Sequence, residues 1–288
     1  MKNVGVIGGG TMGAGIAEVV AKSAVGGGPV TNVRVLERAE AVDAARERIA
    51  KSLQRGVKAG KLSEDDAAAT LDRITVTTEL DSFADCDLVI EAMPEIESLK
   101  LEYFTKLDDI VRPDAILATN TSSIPVIRLA NATRHPERVL GMHFFNPVPV
   151  MPLVEIVTTL KVDSGVVDAV AAYARDGLGK RTIESKDQAG FIVNALLIPY
   201  LTSAIRMYES GFASAEDIDE GMVSGCGHPM GPLRLCDTVG LDVCLAVAES
   251  LFAEFGEPHY APPVLLRRMV DAGYLGRKTG RGFYDYAK

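Results

Sequence analysis

Apolar and polar positions along the chain follow two different periods. Short runs of apolar or β-branched residues, Val4–Ile7, Val33–Leu36, Ile74–Thr77, Leu88–Ile90 and Ile116–Ala118, are separated by longer stretches with helical spacing, as in Val42, Ile49, Leu53 and Val57. A short apolar run suits a strand covered on both faces, and a 3.6-residue recurrence suits a helix laid against it. Their alternation predicts βαβ units and a parallel sheet with helices on both faces. Three more runs, Val139–His143, Leu153–Val157 and Arg181–Glu184, extend the strand set. From Gln188 onward helical spacing takes over, across Gly190–Tyr208, Ala215–Val223, Leu233–Phe255 and Val264–Ala272. The pattern predicts an α/β domain over 1–185 and an all-helical domain over 186–288, with "SKDQAG" at the junction.

The first turn carries chemistry. "VGVIGGGTMGAGIAEVVAKS" reads strand, glycine-rich turn, helix, with Gly8, Gly10 and Gly13 in GxGxxG spacing. Gly8 permits the tight turn, Gly10 lets backbone approach a pyrophosphate, and Gly13 allows close helix–strand packing. Thr11 and Met12 open a helix whose free N–H groups and positive dipole end suit phosphates. An acid closing the second strand would accept hydrogen bonds from the adenosine ribose, and Glu37 in "VRVLER" supplies it, displaced by the small insert Gly26–Pro29. The expectation is a Rossmann-type domain that binds NAD. Arg38, next to Glu37, could meet a 2′-phosphate, so NADP stays open. FAD shares the fingerprint but usually belongs to longer chains.

A second stretch, "GMHFFNPVPVMPLVEIV", sets His143 at the end of one apolar run and Glu155 inside another. A carboxylate buried in a strand is costly unless paired. A carboxylate on one imidazole nitrogen fixes the tautomer and leaves the other nitrogen as a base. The two therefore make a candidate proton-transfer dyad at the carboxyl edge of the sheet, against the alternative of a satisfied structural histidine. "ATNTSSIP" offers Asn120, Ser122 and Ser123 in a polar loop after a strand, with Ser123 read as a helix cap. Asn194 stands amid apolar residues on a helix.

Composition narrows the classes. The 288 residues are 47% hydrophobic and 24% charged, and a net charge of −9 argues against nucleic-acid binding, which feeds on a basic field. Four cysteines without a CxxC pair or histidines at ligand spacing predict free thiols and no metal site. The chain opens directly into a strand, and no apolar run approaches membrane-spanning length, so the expectation is a cytoplasmic protein without membrane contact. One segment opposes the acidic trend: residues 46–61, "RERIAKSLQRGVKAGK", hold six basic residues against Glu47 alone, with Arg48, Lys51, Arg55 and Lys58 on one helical face.

Taken together, "GVIGGGTMGAGIA", "ATNTSSIP", "GMHFFNPVPVMPLVEIV", "GFIVNALLIPYLTSAIRM", "HPMGPLRLCDTVGLD" and "GRKTGRGFYDY" resemble the 3-hydroxyacyl-CoA dehydrogenases over nearly the whole chain, nearest to the bacterial single-function 3-hydroxybutyryl-CoA enzymes. The resemblance implies NAD-dependent interconversion of a short-chain (S)-3-hydroxyacyl-CoA and its 3-keto form. It makes His143 the general base and Glu155 its orienting carboxylate, with Ser122 and Asn194 holding the reacting oxygen and the acyl-CoA. Glu95 and Lys100 match positions used around the nicotinamide ribose and substrate, and Asn120 is counted with the cofactor contacts. Ser52, with Lys51, Arg55 and Lys58, falls where the family meets coenzyme A, although a lysine it often uses is Ala59 here. Gly9 replaces a frequent alanine, and Glu37 a frequent aspartate. A homodimer is expected through the helical domain, since Phe191–Tyr208 and Leu241–Phe255 carry more apolar residues than it can hide alone. The alternatives are a non-catalytic dinucleotide-binding protein and a dehydrogenase of a CoA-free hydroxy acid.

Overall fold

The computed structural model, which describes residues 1–287, joins eight strands into one sheet in the order β3-β2-β1-β4-β5-β6-β7-β8. They are β1 (Asn3–Ile7), β2 (Asn32–Leu36), β3 (Ile74–Thr77), β4 (Leu88–Glu91), β5 (Ile116–Thr119), β6 (Val139–Phe144), β7 (Leu153–Thr158) and β8 (Arg181–Lys186). The first six run parallel. Strand β1 pairs with β2 on one side and β4 on the other, so chain direction across the sheet reverses there. That crevice, at the carboxyl ends of the strands, is where open α/β sheets bind ligands.

Successive residues of a strand face opposite sides, and both sides are covered. Val4, Val6, Leu88 and Ile90 pack with Ile16, Ala17 and Val20 of α1 (Thr11–Val25) and Ile49 of α2 (Val42–Lys58). Ile7, Val89 and Leu117 pack on the other side with Phe104 and Leu107 of α4 (Glu97–Ile110) and Leu129 of α5 (Val126–Asn131). The remaining helices of this unit are α3 (Glu64–Asp72) and α6 (Ser164–Ala172). Burial on both faces is why these strands read as continuous apolar runs.

The sheet departs from the expected all-parallel form at one place. Strand β7 runs antiparallel to β6, and β8 then follows β7 in parallel. Only residues 145–152 separate β6 from β7, too few for a parallel crossover, which needs a dozen or more. Lys180, buried just before β8, fixes this turn by donating to the carbonyls of Val148 (2.6 Å) and Met151 (2.7 Å).

Contacts divide the chain into two units, Met1–Asp187 and 188 onward. The second holds α7 (Val193–Glu209), α8 (Ala215–Cys226), α9 (Pro232–Val239), α10 (Leu241–Phe255) and α11 (Val264–Asp271) around Leu201, Ile205, Leu233, Leu241, Leu251 and Leu266. The stretch Leu233–Phe255, which its spacing predicts to be one helix, is two. Gly240 adopts φ +106°, outside helical geometry and open mainly to glycine, and turns the chain between α9 and α10. Buried Asp219 accepts from the Leu233 and Arg234 amides at the start of α9, while buried Asp237 accepts from the amides of Phe283 and Tyr284. The "GRGFYDY" stretch is thereby tied to α9.

Candidate active site

The glycine turn connects the carboxyl end of β1 to α1. A Cβ on Gly13 would lie 1.8 Å from the Gly8 carbonyl oxygen, so only glycine allows helix and turn this close. A Cβ on Gly10 would meet nothing within 4 Å, which leaves room above the turn. Gly10, the N-cap of α1, has no side chain with which to claim the amides of the first turn. Glu37, one residue past β2, accepts from the Gly9 amide through Oε2 (2.8 Å) and from the Arg38 amide through Oε1 (2.9 Å). Gly8, Gly10, Thr11, Met12, Glu37 and Arg38 line a cleft of about 1080 Å³ that continues past Ala92, Met93 and Pro94 after β4. A helix start without a side-chain cap, an open turn and a fixed carboxylate at the second strand fit a dinucleotide: phosphates over α1, ribose hydroxyls on Glu37.

His143 and Glu155 sit directly opposite each other in the antiparallel register of β6 and β7. Nδ1 of His143 lies 2.7 Å from Oε2 of Glu155, and Nε2 lies 3.0 Å from the Ser122 hydroxyl. The imidazole is 4% exposed and the carboxylate 0%. An ionised carboxylate only accepts hydrogen bonds, so Nδ1 carries the hydrogen and Nε2 presents its lone pair toward Ser122. The Phe145 ring meets the imidazole edge-on, with centroids 4.7 Å apart. Asn120 ties the loop after β5 to β6 by accepting from the Phe144 amide (2.8 Å). In this structure its side-chain oxygen serves the strand end beside His143.

Ser122 is placed by charges beneath its loop. Glu95 Oε1 accepts from the Ser122 amide (3.1 Å), the Ser123 amide (3.1 Å), the Ser123 hydroxyl (2.8 Å) and the Thr121 hydroxyl. Its Oε2 pairs with Lys100 Nζ at 2.7 Å, and the same ammonium pairs with Glu91 at 3.1 Å. Lys100 is 1% exposed, so its charge reaches these two carboxylates. Burial alone would raise the Glu95 carboxyl, but the charge and hydrogen bond of Lys100, with Thr121 and Ser123, bring it down to about 2. Ser123 therefore does not cap a helix. The first amides of α5, Val126 and Ile127, are instead taken by Asp187 (2.8 and 2.7 Å), which arrives from the end of β8. Glu91, Thr119 and Thr121 escape a reading of the sequence. The signal available is an acid closing the apolar run "DLVIE", opposite Thr119 in the β4–β5 register.

The basic face of α2 separates into parts. Arg48 turns to the glycine loop and donates to the Gly9 carbonyl (2.5 Å). Lys51 pairs with Glu47 one turn earlier (2.7 Å). Arg55 and Lys58 are exposed near the end of the helix. Burial raises the carboxyl of Glu18 on α1 above its ordinary range, against the opposing influence of Ser52 and the charges of Lys22, Arg55 and Lys180. Asn194 lies in the first turn of α7, in the second unit. Among the described residues there is no cluster of metal-ligating side chains, and no helix is long and apolar enough to cross a membrane.

Comparison with known proteins agrees with both units. Residues 3–188 match the NAD binding domain of 3-hydroxyacyl-CoA dehydrogenases, and residues 190–286 match the C-terminal domain of those enzymes. The chain is 54% identical to a 3-hydroxybutyryl-CoA dehydrogenase of Mycobacterium tuberculosis, over 99% of both chains. It is 41% identical to the human mitochondrial hydroxyacyl-coenzyme A dehydrogenase, over 99% of this chain and 91% of that one. Among solved structures, M. tuberculosis FadB2 superposes with a TM-score of 0.96 at 54% identity, covering 100% of this chain and 99% of that one. The (S)-3-hydroxybutyryl-CoA dehydrogenase PaaH1 of Ralstonia eutropha gives 0.92 at 45% identity, with 100% of each chain covered.

Proposed function

The chain belongs to the 3-hydroxyacyl-CoA dehydrogenase family, and from that premise we propose that it interconverts a short-chain (S)-3-hydroxyacyl-CoA, of the size of 3-hydroxybutyryl-CoA, and the matching 3-ketoacyl-CoA with NAD(H) as partner. The observation that carries the mechanism is the buried series Ser122–His143–Glu155, with Nε2 of His143 3.0 Å from the Ser122 hydroxyl and Nδ1 2.7 Å from a Glu155 carboxylate oxygen. Bound NAD supplies the hydride acceptor. His143 Nε2 takes the C3 hydroxyl proton as hydride leaves C3, and in reduction the imidazolium returns that proton to the carbonyl oxygen. Glu155 holds Nδ1 of His143 and stabilises the imidazolium. The Ser122 hydroxyl, beside Nε2, shares the reacting oxygen, and the family's pattern gives Asn194 a part in holding the acyl-CoA. Glu95, kept ionised by Lys100, fixes the loop that carries Ser122. Thr11 and Met12 open the helix that receives the phosphates, and Glu37 takes the ribose. Coenzyme A, with its own phosphates, fits the exposed positive charge of Arg55 and Lys58, helped by Ser52 and Lys51.

The helical unit carries exposed apolar side chains, Leu196 at 73%, Phe212 at 79% and Val264 at 63%, which a homodimer through this unit covers. The function is tested by following NADH consumption with acetoacetyl-CoA and, separately, with acetoacetate. Turnover confined to the thioester is expected. Turnover of free acetoacetate alone would transfer the protein to the CoA-free hydroxy-acid dehydrogenases.

A further inference from the structure

The middle peptide of the glycine turn is held from two sides by side chains of opposite charge. Glu37 accepts from the Gly9 amide at 2.8 Å, and the Arg48 guanidinium donates to the Gly9 carbonyl at 2.5 Å. Helix α2 comes so close that a Cβ on Gly9 would stand 2.6 Å from the Ala45 Cβ, so the glycine at this position is required by Ala45. Ala41, the N-cap of α2, and Ala44 and Arg48 on one face of that helix line the cleft. The only other cation in that lining, among the described residues, is Arg38, which is 78% exposed and engaged with Glu40 at 3.3 Å and Glu37 at 3.9 Å. Arg48, by contrast, has no carboxylate within ion-pair distance among the described residues.

A guanidinium has five N–H donors in a fixed fork, and the Gly9 carbonyl occupies one of them. It has no ion-pair partner among the described residues, and it lines a cleft that fits an anion in a chain whose net charge is −9. We propose that Arg48 is a positioning and counter-charge residue for the dinucleotide: it fixes the glycine turn by its bond to Gly9 and offers its remaining donors to the diphosphate end of the adenosine moiety. This assigns Arg48 to the cofactor cleft rather than to the acyl-CoA face formed by Arg55 and Lys58. It rests on the NAD reading of the cleft.

The test uses the full-length wild type, Arg48→Gln and Arg48→Lys, titrated with NADH, ADP and adenosine at low and high ionic strength. Removing one charge-assisted hydrogen bond in a partly desolvated cleft corresponds to about tenfold in affinity. Arg48→Gln is expected to weaken NADH and ADP by about that factor and adenosine by less than about twofold, and salt should narrow the gap because the missing attraction is coulombic. Arg48→Lys should recover most of the affinity. In steady state the effect should fall on KM for NADH, with kcat at saturating NADH changed by less than about twofold, as for uniform binding. Equal, salt-independent losses for ADP and adenosine would reduce Arg48 to a structural tie, and unchanged NADH affinity in Arg48→Gln would remove it altogether. Failure of the wild type to bind NADH would instead overturn the NAD reading on which the proposal stands.

Discussion

His143 and Glu155 are direct cross-strand partners, joined at 2.7 Å from Nδ1 to Oε2, and they meet because β7 turns back against β6 instead of continuing the parallel sheet. Side chains directly opposite in an antiparallel pair have Cβ atoms about 5 Å apart, close enough for a carboxylate to reach an imidazole without backbone adjustment. The 145–152 turn, held by Lys180, is thus part of the geometry that brings His143 and Glu155 together. Had β7 entered in parallel, with a helical crossover, that register would be absent.

The Glu95 network predicts a pH-dependent contribution to stability. The carboxyl is held near 2 against an ordinary 4.5, so the folded state favours its ionised form. The stabilisation is present in full above about 4.5 and disappears as pH falls toward 2. Glu95 is 38% exposed, so after discounting for solvent screening the contribution is about 1–2 kcal/mol. Glu95→Gln should lower Tm at neutral pH and leave it little changed near the bottom of that window. Thermal melts of both proteins across the acid range check this; a constant difference in Tm at every pH would contradict it.

Cofactor choice follows from Glu37. Its two oxygens already hold the amides of Gly9 and Arg38, which fixes a negative charge where a 2′-phosphate would have to sit. Like charges brought together in this way cost several kcal/mol, so kcat/KM should favour NADH over NADPH by at least about tenfold. Glu37→Ala should narrow the ratio. A native preference for NADPH would point to Arg38 as a phosphate partner.

Much of the fold is legible in the apolar runs because β4, β5 and β6 are buried along their whole length and so leave strong, uninterrupted signals. What escapes depends on register, backbone dihedrals or distant partners. The break at Gly240 is a dihedral choice inside an otherwise helical pattern. A serine before a helix usually caps it, yet Asp187, sixty-one residues from Val126, serves those amides in place of Ser123. Arg48 has the spacing of the basic face, but α2 passes close to the glycine turn and Gly9 takes its guanidinium. Lys100 pairs with two acids of its own stretch, "EAMPEIESLK", Glu91 at the end of β4 and Glu95 in the loop after it, but nothing in that stretch shows that the ammonium is buried, because its burial depends on how the following helix packs back on the strand end.

Neutralising Arg55 and Lys58 together, as Gln, should raise KM for acetoacetyl-CoA by about tenfold and leave kcat largely intact, because contacts to a remote nucleotide act alike on ground and transition states. Lys51→Gln should do less, since Glu47 already answers that ammonium at 2.7 Å on an exposed helix face. Saturation curves in acetoacetyl-CoA at fixed NADH decide the matter; an unmoved KM in the double variant would leave these residues as a solvated surface.

The most direct test of the His143–Glu155 pairing is a double-mutant cycle on kcat with acetoacetyl-CoA and NADH, using His143→Gln, Glu155→Gln and the combined variant, each confirmed folded. Loss of a general base is worth about 10²–10⁴-fold, and Glu155→Gln should also lower kcat substantially, since the amide cannot stabilise the imidazolium as the carboxylate does. Because residues acting as one unit are strongly non-additive, the combined variant should lose far less than the product of the two single losses. A Glu155→Gln enzyme with unchanged kcat, or a combined loss equal to that product, would mean that the carboxylate is structural and that His143 works without it.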